Sequence, residues 1–288
     1  MRHQIINVGL IGLGRIGKMH AKNICEKLPL LNLKSIADPK PDLEFIQNLG
    51  GTTLHEDAQE IISDKNIDAI IISSPTPTHF NLIKKCLRNN KHVFCEKPIS
   101  FSENEINEII DLMVIQESFV QVGLNRRFDE EFILLKEKIK EGLIGKTQII
   151  HITNHDSTIP RFKFLKSSGG MLFDLCIHDF DMLTFITGKK IKEIYVNGSV
   201  FIEPRLKDIN DIDNAIITLE LTNGVLCTID SSRQTHFGYD QRIEVFGSKG
   251  MISVDNKPNQ LFLLSDESRT IKSKIKKSFA ERYESSYV

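Results

Sequence analysis

Short apolar runs alternate with longer amphipathic stretches over the first 122 residues of the chain. The short runs predict strands and the amphipathic stretches predict helices. The predicted strands are 5–11, 33–37, 69–73, 92–95 and 119–122, and the predicted helices are 15–27, 78–88 and 103–115. Because strands that alternate with helices form βαβ units, we expect residues 1–122 to be an α/β domain with a doubly wound parallel sheet.

The third of these helices carries a start signal in its sequence. Ser102 and Glu105 are spaced as in a capping box, in which the two side chains satisfy each other's backbone donors. We therefore expect the helix to begin directly after Ser102, with its first turn closed by this pair.

The pattern changes after Gly123. It predicts a helix at 130–140, a strand at 148–154 and a helix at 171–186, followed by strands only, at 191–200, 215–221, 225–230 and 242–246. Thr222-Asn223-Gly224 is typical of a hairpin turn. Residues 123–288 are therefore expected to form a second, α+β domain with an open, mainly antiparallel or mixed sheet.

Charge and cysteine content narrow the classes of function. The 37 Lys and Arg residues nearly balance the 38 Asp and Glu residues, which leaves a net charge of −1. We therefore expect neither nucleic acid nor an anionic membrane surface as a partner. The five cysteines are an odd number without a C-x-x-C pair, and they predict reduced thiols.

The sequence predicts a cytoplasmic protein. It contains no run of about 18 apolar residues, so it predicts no membrane-spanning helix. The apolar run that follows Arg2 and His3 resembles a secretory signal but lacks a small-residue cleavage site.

A glycine-rich motif follows the first predicted strand. It fits G-x-G-x-x-G and comprises Gly12, Gly14, Arg15, Ile16 and Gly17. With a helix after it and Asp38 about 20 residues later, the motif predicts a dinucleotide site whose pyrophosphate lies at the helix N-terminus. The carboxylate of Asp38 is expected to accept the ribose hydroxyls and to repel an extra phosphate by about 4 kcal/mol, which favours NAD over NADP. The alternatives are an ordinary glycine turn and a turn role for Asp38.

Further candidates follow the other strands of the parallel sheet. Ligands bind at the carboxyl ends of such strands, where the sequence places Ser73, Pro75 and Thr76 after one strand and Glu96 and Lys97 after another. Lys97 is expected near the redox end of the dinucleotide, and a solvated lysine is the alternative.

The helix predicted at 171–186 carries a polar stripe. Asp174, His178 and Asp181 stand at i, i+4 and i+7, so they share one face, which is either solvated or the wall of a cleft. Hydride transfer from an alcohol requires a base for the hydroxyl proton, and His178 suits that role. Asp174 would orient the imidazole and raise its proton affinity, and Lys97 would favour the alkoxide.

A metal site is the competing use of such residues. His151 and His155 lie four residues apart on a predicted strand, about 13 Å from each other, so we expect that they do not share one ion. No cysteine cluster accompanies them, and no metal is predicted.

The motifs together resemble those of the Gfo/Idh/MocA oxidoreductases. The matching segments are 9–24, 73–79, 95–100, 125–129, 169–182 and 232–250, and the last of these points most specifically to the inositol-oxidising members. The resemblance implies a Rossmann domain that binds NAD, a second domain with an open sheet, and homo-oligomers, dimers or tetramers, formed through those sheets. It also implies oxidation of a ring hydroxyl of a cyclic polyol, myo-inositol first, to the 2-keto product. Another sugar or polyol substrate, or a catalytically silent NAD-binding regulator, remains open.

The resemblance also assigns residues. It matches Lys97, Asp174 and His178 to catalytic positions, and it adds His79 to the cofactor residues. For the polyol pocket it implies Arg127, His155, Asp156 and Tyr239 beside the catalytic pair Asp174 and His178. Two departures stand out: His155-Asp156-Ser157 replaces Arg-Asp-Pro, and residues 278–284 resemble the start of a closing helix whose remainder is absent.

Overall fold

The computed structural model describes residues 5–260, 263–265, 267–268 and 270–288. The chain forms two compact units. One runs to Leu124 and includes Tyr287–Val288, and the other comprises Asn125–Ser286. Among the described residues, every helix is too short or too polar to cross a bilayer.

A parallel sheet forms the centre of the first unit. Its strands in the described residues are β1 (Ile6–Ile11), β2 (Leu31–Ala37), β3 (Thr53–His55), β4 (Ala69–Ile72), β5 (His92–Cys95) and β6 (Val120–Val122). Their order is β3-β2-β1-β4-β5-β6, and all neighbours are parallel. The strand order reverses between β1 and β4, and in such a sheet ligands bind at that point. The predicted doubly wound parallel sheet is confirmed.

Helices cover both faces of this sheet. They are α1 (Arg15–Lys27), α2 (Leu43–Gln47), α3 (Ala58–Ser63), α4 (His79–Arg88) and α5 (Glu103–Gln116). One apolar cluster joins α1 to β1 and β2, and another joins α3, α4 and α5 to β1, β4 and β5. Burial on both faces explains why these strands are continuously apolar. The pattern missed β3, α2 and α3, which are too short to show a measurable period.

The start of α5 differs from the predicted capping box. The helix begins after Ser102, as expected, but within the described residues the Ser102 hydroxyl makes no capping hydrogen bond. The hydroxyl of Ser100 instead accepts the Ser102 N–H at 2.9 Å and donates to the Glu105 carboxylate. Glu105 is thus engaged two residues upstream of the position that the motif predicts.

The second unit contains a mixed sheet with helices on one face. In the described residues its helices are α6 (Glu130–Lys140), α7 (Phe162–Leu165), α8 (Ile177–Thr187) and α9 (Phe279–Arg282). Its strands are β7 (Thr147–His155), β8 (Ile191–Ser199), β9 (Asn214–Leu221), β10 (Leu226–Ser232), β11 (Asp240–Gly247) and β12 (Gly250–Val254), and a separate hairpin pairs β13 (Leu263–Ser265) with β14 (Thr270–Lys272). The strand order is β12-β11-β7-β10-β9-β8, and β7 and β10 are the parallel pair. The predicted α+β domain is confirmed, although a 3₁₀ helix at Pro204–Ile209 and α9 interrupt the region expected to contain strands only.

The two faces of the second sheet differ in exposure. Alternate residues such as Ile152, Ile217 and Ile229 are buried on the face that packs against α8, whereas Ile216 and Leu226 are about half exposed on the other. Because successive side chains of a strand point to opposite faces, this alternation separates a core face from an open face. The six-stranded sheet is therefore open, as predicted.

Candidate active site

The glycine-rich loop after β1 has two crowded glycines and one open glycine. A Cβ at Gly12 would lie 2.6 Å from the Ser74 nitrogen, and Gly12 has a positive φ of 94°. A Cβ at Gly17 would lie 2.0 Å from the Gly12 oxygen, whereas a Cβ at Gly14 would meet no atom within 4 Å. The turn thus requires Gly12 and Gly17 for close packing, and Gly14 leaves space at the N-terminus of α1. A dinucleotide pyrophosphate fits this space and the adjoining backbone N–H groups.

Asp38 is tied to this loop by its carboxylate. One oxygen accepts the Leu13 N–H at 2.6 Å, and the other accepts the Lys40 N–H at 2.8 Å. A carboxylate offers about four acceptor positions, so lone pairs remain for ribose hydroxyls. The carboxylate therefore also holds the glycine-rich loop, a role that the sequence did not reveal.

The segment after β4 is fixed to both neighbouring loops. The Ser73 hydroxyl donates to the Gly12 carbonyl at 2.8 Å, and a 3₁₀ turn follows at Thr76–Thr78 after Pro75. Backbone hydrogen bonds from Ser73 to β1 and from Glu96 to β4 align the carboxyl ends of β1, β4 and β5. The cofactor candidates of the first unit therefore share one edge, as expected.

His79 supports this edge from within the core. Its ring is buried, and its two nitrogens lie 2.8 Å from the carbonyl oxygens of Ser74 and Pro98. The imidazole thereby links the loops after β4 and β5, and it has little surface left for a cofactor. This differs from the direct cofactor contact that we expected of His79.

Glu96 is likewise held from below. Its carboxylate lies 2.8 Å from Nε2 of His20 on α1, and both side chains are largely buried. The rings of Phe94 and Tyr287 pack edge-on against His20. Because Glu96 directly precedes the half-buried Lys97, its contact with His20 anchors the segment that carries the lysine. Glu96 thus has a supporting contact in place of an exposed cofactor-binding position.

In the second unit, Asp174 and His178 lie where two helical forms meet. The predicted single helix is in fact a π-helical turn at Leu172–Cys176 followed by α8, which begins one residue before His178. π-Helical turns occur frequently at functional sites. The carboxylate of Asp174 accepts a hydrogen bond of 3.0 Å from Nη1 of Arg233, a residue that the sequence did not single out.

Asp181, the third member of the predicted stripe, is engaged elsewhere. The guanidinium of Arg127 donates to both of its oxygens, with Nε 2.8 Å from Oδ2, and the same guanidinium lies over the ring of Phe185. Arg127 is nevertheless exposed, so it can still contact a substrate. The stripe is thus divided: Asp181 positions Arg127, and Asp174 pairs with Arg233.

A buried polar network lies beneath α8. Asp179 accepts hydrogen bonds of 2.5 Å from both Arg126 and Asn154, and Arg126 also donates to the Tyr239 hydroxyl at 3.1 Å. Burial raises the pKa of Tyr239, which keeps its hydroxyl protonated. Tyr239 was expected to line the polyol pocket, but it is only 4% exposed and its oxygen is occupied. The sequence signal for Arg126 was its place beside Arg127; its partners are distant in sequence.

His155 lies on the open face of the sheet, opposite the face that packs against α8. Its neighbour Asn154 points toward Asp179 on α8, so the strand alternation turns His155 away. Its ring lies 2.5 Å from Asp230 and 3.2 Å from Asp240. Burial alone would lower the pKa of His155, but hydrogen bonds to both carboxylates outweigh it and raise the pKa to about 9. The substrate role of His155 stays a prediction, and the structure adds that its ring lies on the open face between two carboxylates.

His151 reaches the same carboxylate. Its Nε2 lies 3.1 Å from Asp230, so His151 and His155 converge on one side chain in spite of their separation along β7. The two rings therefore share a carboxylate partner, which their spacing along the strand did not indicate. Among the described residues, no three His, Cys, Asp or Glu side chains are arranged to hold a metal ion.

Known proteins resemble this chain over nearly its whole length. It is 39% identical over 285 residues to the myo-inositol 2-dehydrogenase of Thermotoga maritima. This alignment covers 98% of this chain and 85% of that protein. The crystal structure of a probable dehydrogenase from the same organism superposes with a TM-score of 0.94 at 39% identity, over 98% of this chain and 85% of the other. The Lactobacillus casei scyllo-inositol dehydrogenase, solved with bound NAD(H) and scyllo-inositol, has a TM-score of 0.90 at 28% identity, over 99% and 86% of the two chains.

Two family models match the two halves of the chain. Residues 132–253 match the GFO/IDH/MocA C-terminal domain, and residues 6–124 match the oxidoreductase family with an NAD-binding Rossmann fold. The chain belongs to the GFO/IDH/MocA oxidoreductase family and has its NAD-binding Rossmann domain.

Proposed function

We propose that this protein oxidises one ring hydroxyl of a cyclic polyol with NAD, and that myo-inositol is the substrate and its 2-keto derivative the product. The observation that carries the reaction type is the open cradle at Gly14 on the same sheet edge as Lys97. The polyol class is supported by the relatives whose names specify inositol.

The cofactor residues of the proposal lie in the first unit. The glycine-rich loop binds the pyrophosphate through backbone N–H groups, and Asp38 accepts the adenosine ribose hydroxyls. The carboxylate of Asp38 opposes the additional phosphate of NADP, so NAD is the preferred cofactor. Glu96 and His79 position the loops around the cofactor.

The catalytic step uses three side chains. His178 accepts the hydroxyl proton as the C–H bond at the same carbon breaks. NAD, when bound, accepts the hydride with its two electrons, and the C–O bond becomes a carbonyl. Lys97 stabilises the negative charge that develops on the oxygen, and Asp174 stabilises the imidazolium that forms.

Substrate recognition in the proposal depends on the second unit. The exposed guanidinium of Arg127, held by Asp181, is suited to donate hydrogen bonds to the oxygens of ring hydroxyls. Asp156 follows β7 and is half-buried, and its carboxylate can accept hydrogen bonds from the same hydroxyls.

Assembly and location complete the proposal. Large apolar side chains are exposed on the second sheet, among them Ile149, Tyr195, Ile216, Leu226, Phe246 and Met251. An apolar patch of this kind marks a protein interface, so we infer a homo-oligomer, and light scattering would measure its mass.

All five cysteines are free thiols, which supports a reducing, cytoplasmic location.

The test is NADH formation with a panel of substrates. The purified protein is incubated with NAD and myo-inositol, scyllo-inositol, glucose or a linear polyol, and absorbance of NADH is followed. We expect the highest kcat/KM for myo-inositol. Faster oxidation of glucose than of myo-inositol would identify glucose as the substrate. NAD binding without turnover of any compound would favour an NAD-binding regulator and would overturn the proposal.

A further inference from the structure

Arg233 carries a buried charge with few direct partners. Its side chain is 0% exposed, at the position directly after β10. Nη1 donates to Asp174, but Nε and Nη2 have no hydrogen-bond partner among the described residues. Its backbone N–H donates to the Asp213 carbonyl at 2.9 Å, so both ends of the residue are fixed.

The guanidinium lies between two carboxylates. Asp174 Oδ2 is 3.0 Å from Nη1, and Asp211 Oδ2 is 3.9 Å from Nη2. The other oxygen of Asp211 accepts the Met171 N–H at 2.8 Å, directly before the π-helical turn that carries Asp174. A Cβ at Gly170 would lie 2.9 Å from that same oxygen, so the glycine lets the backbone approach Asp211 closely. Arg233 and Asp211 therefore fix the beginning of this turn and the carboxylate of Asp174 together.

Stability alone does not account for such a residue. A buried guanidinium loses its hydration, and buried ion pairs are often no more stabilising than apolar residues of the same size. Arg233 has one direct hydrogen bond to a carboxylate and a second carboxylate at longer range. The arrangement therefore indicates a role that depends on the positive charge of Arg233.

We propose that Arg233 is a positioning residue that sets, through Asp174, the pH at which His178 can accept a proton. This inference rests on the proposed function, in which Asp174 orients His178. The guanidinium offsets part of the negative charge of Asp174. His178 thereby keeps a base form near neutral pH, since an uncompensated carboxylate would hold the imidazolium more tightly.

Several other charges surround this group. Asp211 faces Arg233 from the loop before β9. The charges of Asp179, Arg126 and Arg233 all act on the buried thiol of Cys176. Asp179 and Arg126 form an ion pair, so their charges largely cancel. Arg233 opposes the charge of Asp174, and Asp211 reduces this effect.

Two variants with opposite charge changes test this role. Arg233→Met removes the cation and should raise the pKa of His178 by about one unit. Asp211→Asn keeps an oxygen for the Met171 N–H, removes the opposing anion, and should lower the pKa of His178. Arg233→Lys retains the charge and should leave it near the wild-type value.

The pKa is measured by NMR titration of the His178 ring carbon in the full-length protein, with the signal assigned from its loss in His178→Asn. This readout does not require turnover, so it stands even if no polyol is oxidised. Where turnover is present, the acid limb of the kcat/KM profile between about pH 5.5 and 9.5 should move in the same directions.

The signs of the shifts decide the proposal. Shifts of opposite sign in Arg233→Met and Asp211→Asn support it, because loss of structure would not produce them. Unchanged titration of His178 in both folded variants, or a shift of the same sign in both, would overturn it. If Arg233→Met does not fold, Asp211→Asn and Arg233→Lys decide the proposal. The role is then rejected if the pKa of His178 does not fall in Asp211→Asn. Failure of the proposed function would show separately, as normal titration shifts without polyol oxidation.

Discussion

The imidazole of His20 on α1 lies 2.8 Å from the carboxylate of Glu96, the residue before Lys97. Both side chains are largely buried, and Gly123 packs closely enough that a Cβ there would be 3.0 Å from the second Glu96 oxygen. The pair thus links the helix that follows the glycine-rich loop to the lysine-bearing segment. Two parts of the cofactor edge are held by one contact.

Removing this contact should destabilise the first unit. His20→Ala leaves the Glu96 carboxylate buried without its imidazole partner, which costs about 1–3 kcal/mol in the free energy of unfolding. Urea denaturation measures the change. Lys22→Ala, on the exposed side of the same helix, is the control and should change stability by less than about 0.5 kcal/mol. Equal effects of the two substitutions would contradict the structural role of the pair.

The glycine-rich loop predicts a contrast between two alanine variants. Gly14→Ala meets open space, so it should leave the melting temperature unchanged while its methyl group obstructs the pyrophosphate and weakens NAD binding at least about tenfold. Gly17→Ala places a Cβ against the Gly12 carbonyl and should lower the melting temperature as well. Calorimetry for NAD affinity and thermal melts separate the two cases. Normal NAD affinity in Gly14→Ala would locate the pyrophosphate elsewhere.

Cofactor preference should depend on the charge of Asp38. Asp38→Asn removes the repulsion of the NADP phosphate, so the ratio of NADP to NAD affinity should rise by about tenfold to a thousandfold. Both affinities should also fall, because the carboxylate accepts the Leu13 N–H of the glycine-rich loop. Fluorescence titration with the two cofactors measures the ratio. Asp42→Asn, an exposed carboxylate paired with Lys18, is the matched control, and a similar change in its ratio would refute the assignment.

Loss of the proposed base should affect chemistry and not cofactor binding. His178→Ala should lower kcat by about a hundredfold to ten-thousandfold, because no other group takes the hydroxyl proton efficiently. NAD affinity should persist, since the cofactor residues belong to the first unit. Stopped-flow or steady-state NADH formation measures kcat. His92→Ala, an exposed histidine at the start of β5, should retain near-normal turnover; retention in His178→Ala would reject the base assignment.

The cluster around His155 predicts a pH dependence of stability. The pKa of His155 is about 9 in the folded protein and about 6.5 when unfolded, so the stabilisation is complete below about pH 6.5. It is lost as the pH rises through 9. Because the side chain is partly exposed, the contribution is about 1–2 kcal/mol. Urea unfolding of wild type and His155→Gln should differ by this amount near pH 6 and converge near pH 10, and a constant difference would contradict the titration.

The sequence alone determined the architecture of both halves and most of the candidate groups. The strands of the first unit are buried on both faces, so their apolar runs were distinct, and the G-x-G-x-x-G motif carried its own local geometry. Three-residue β3 and five-residue α2 were missed because so few residues leave no measurable period.

Only the tertiary structure decided which polar side chains act together. Arg233 and Asp174 are 59 positions apart in the sequence, and His20 and Glu96 are 76 apart. No local sequence pattern therefore predicts either pair. The sequence did not say on which face of the sheet His155 lies, because its spacing does not show which face of a strand packs against a helix. Periodicity is a property of neighbouring residues and can be read from the sequence. The partner of a buried charge depends on packing between segments that are distant along the chain.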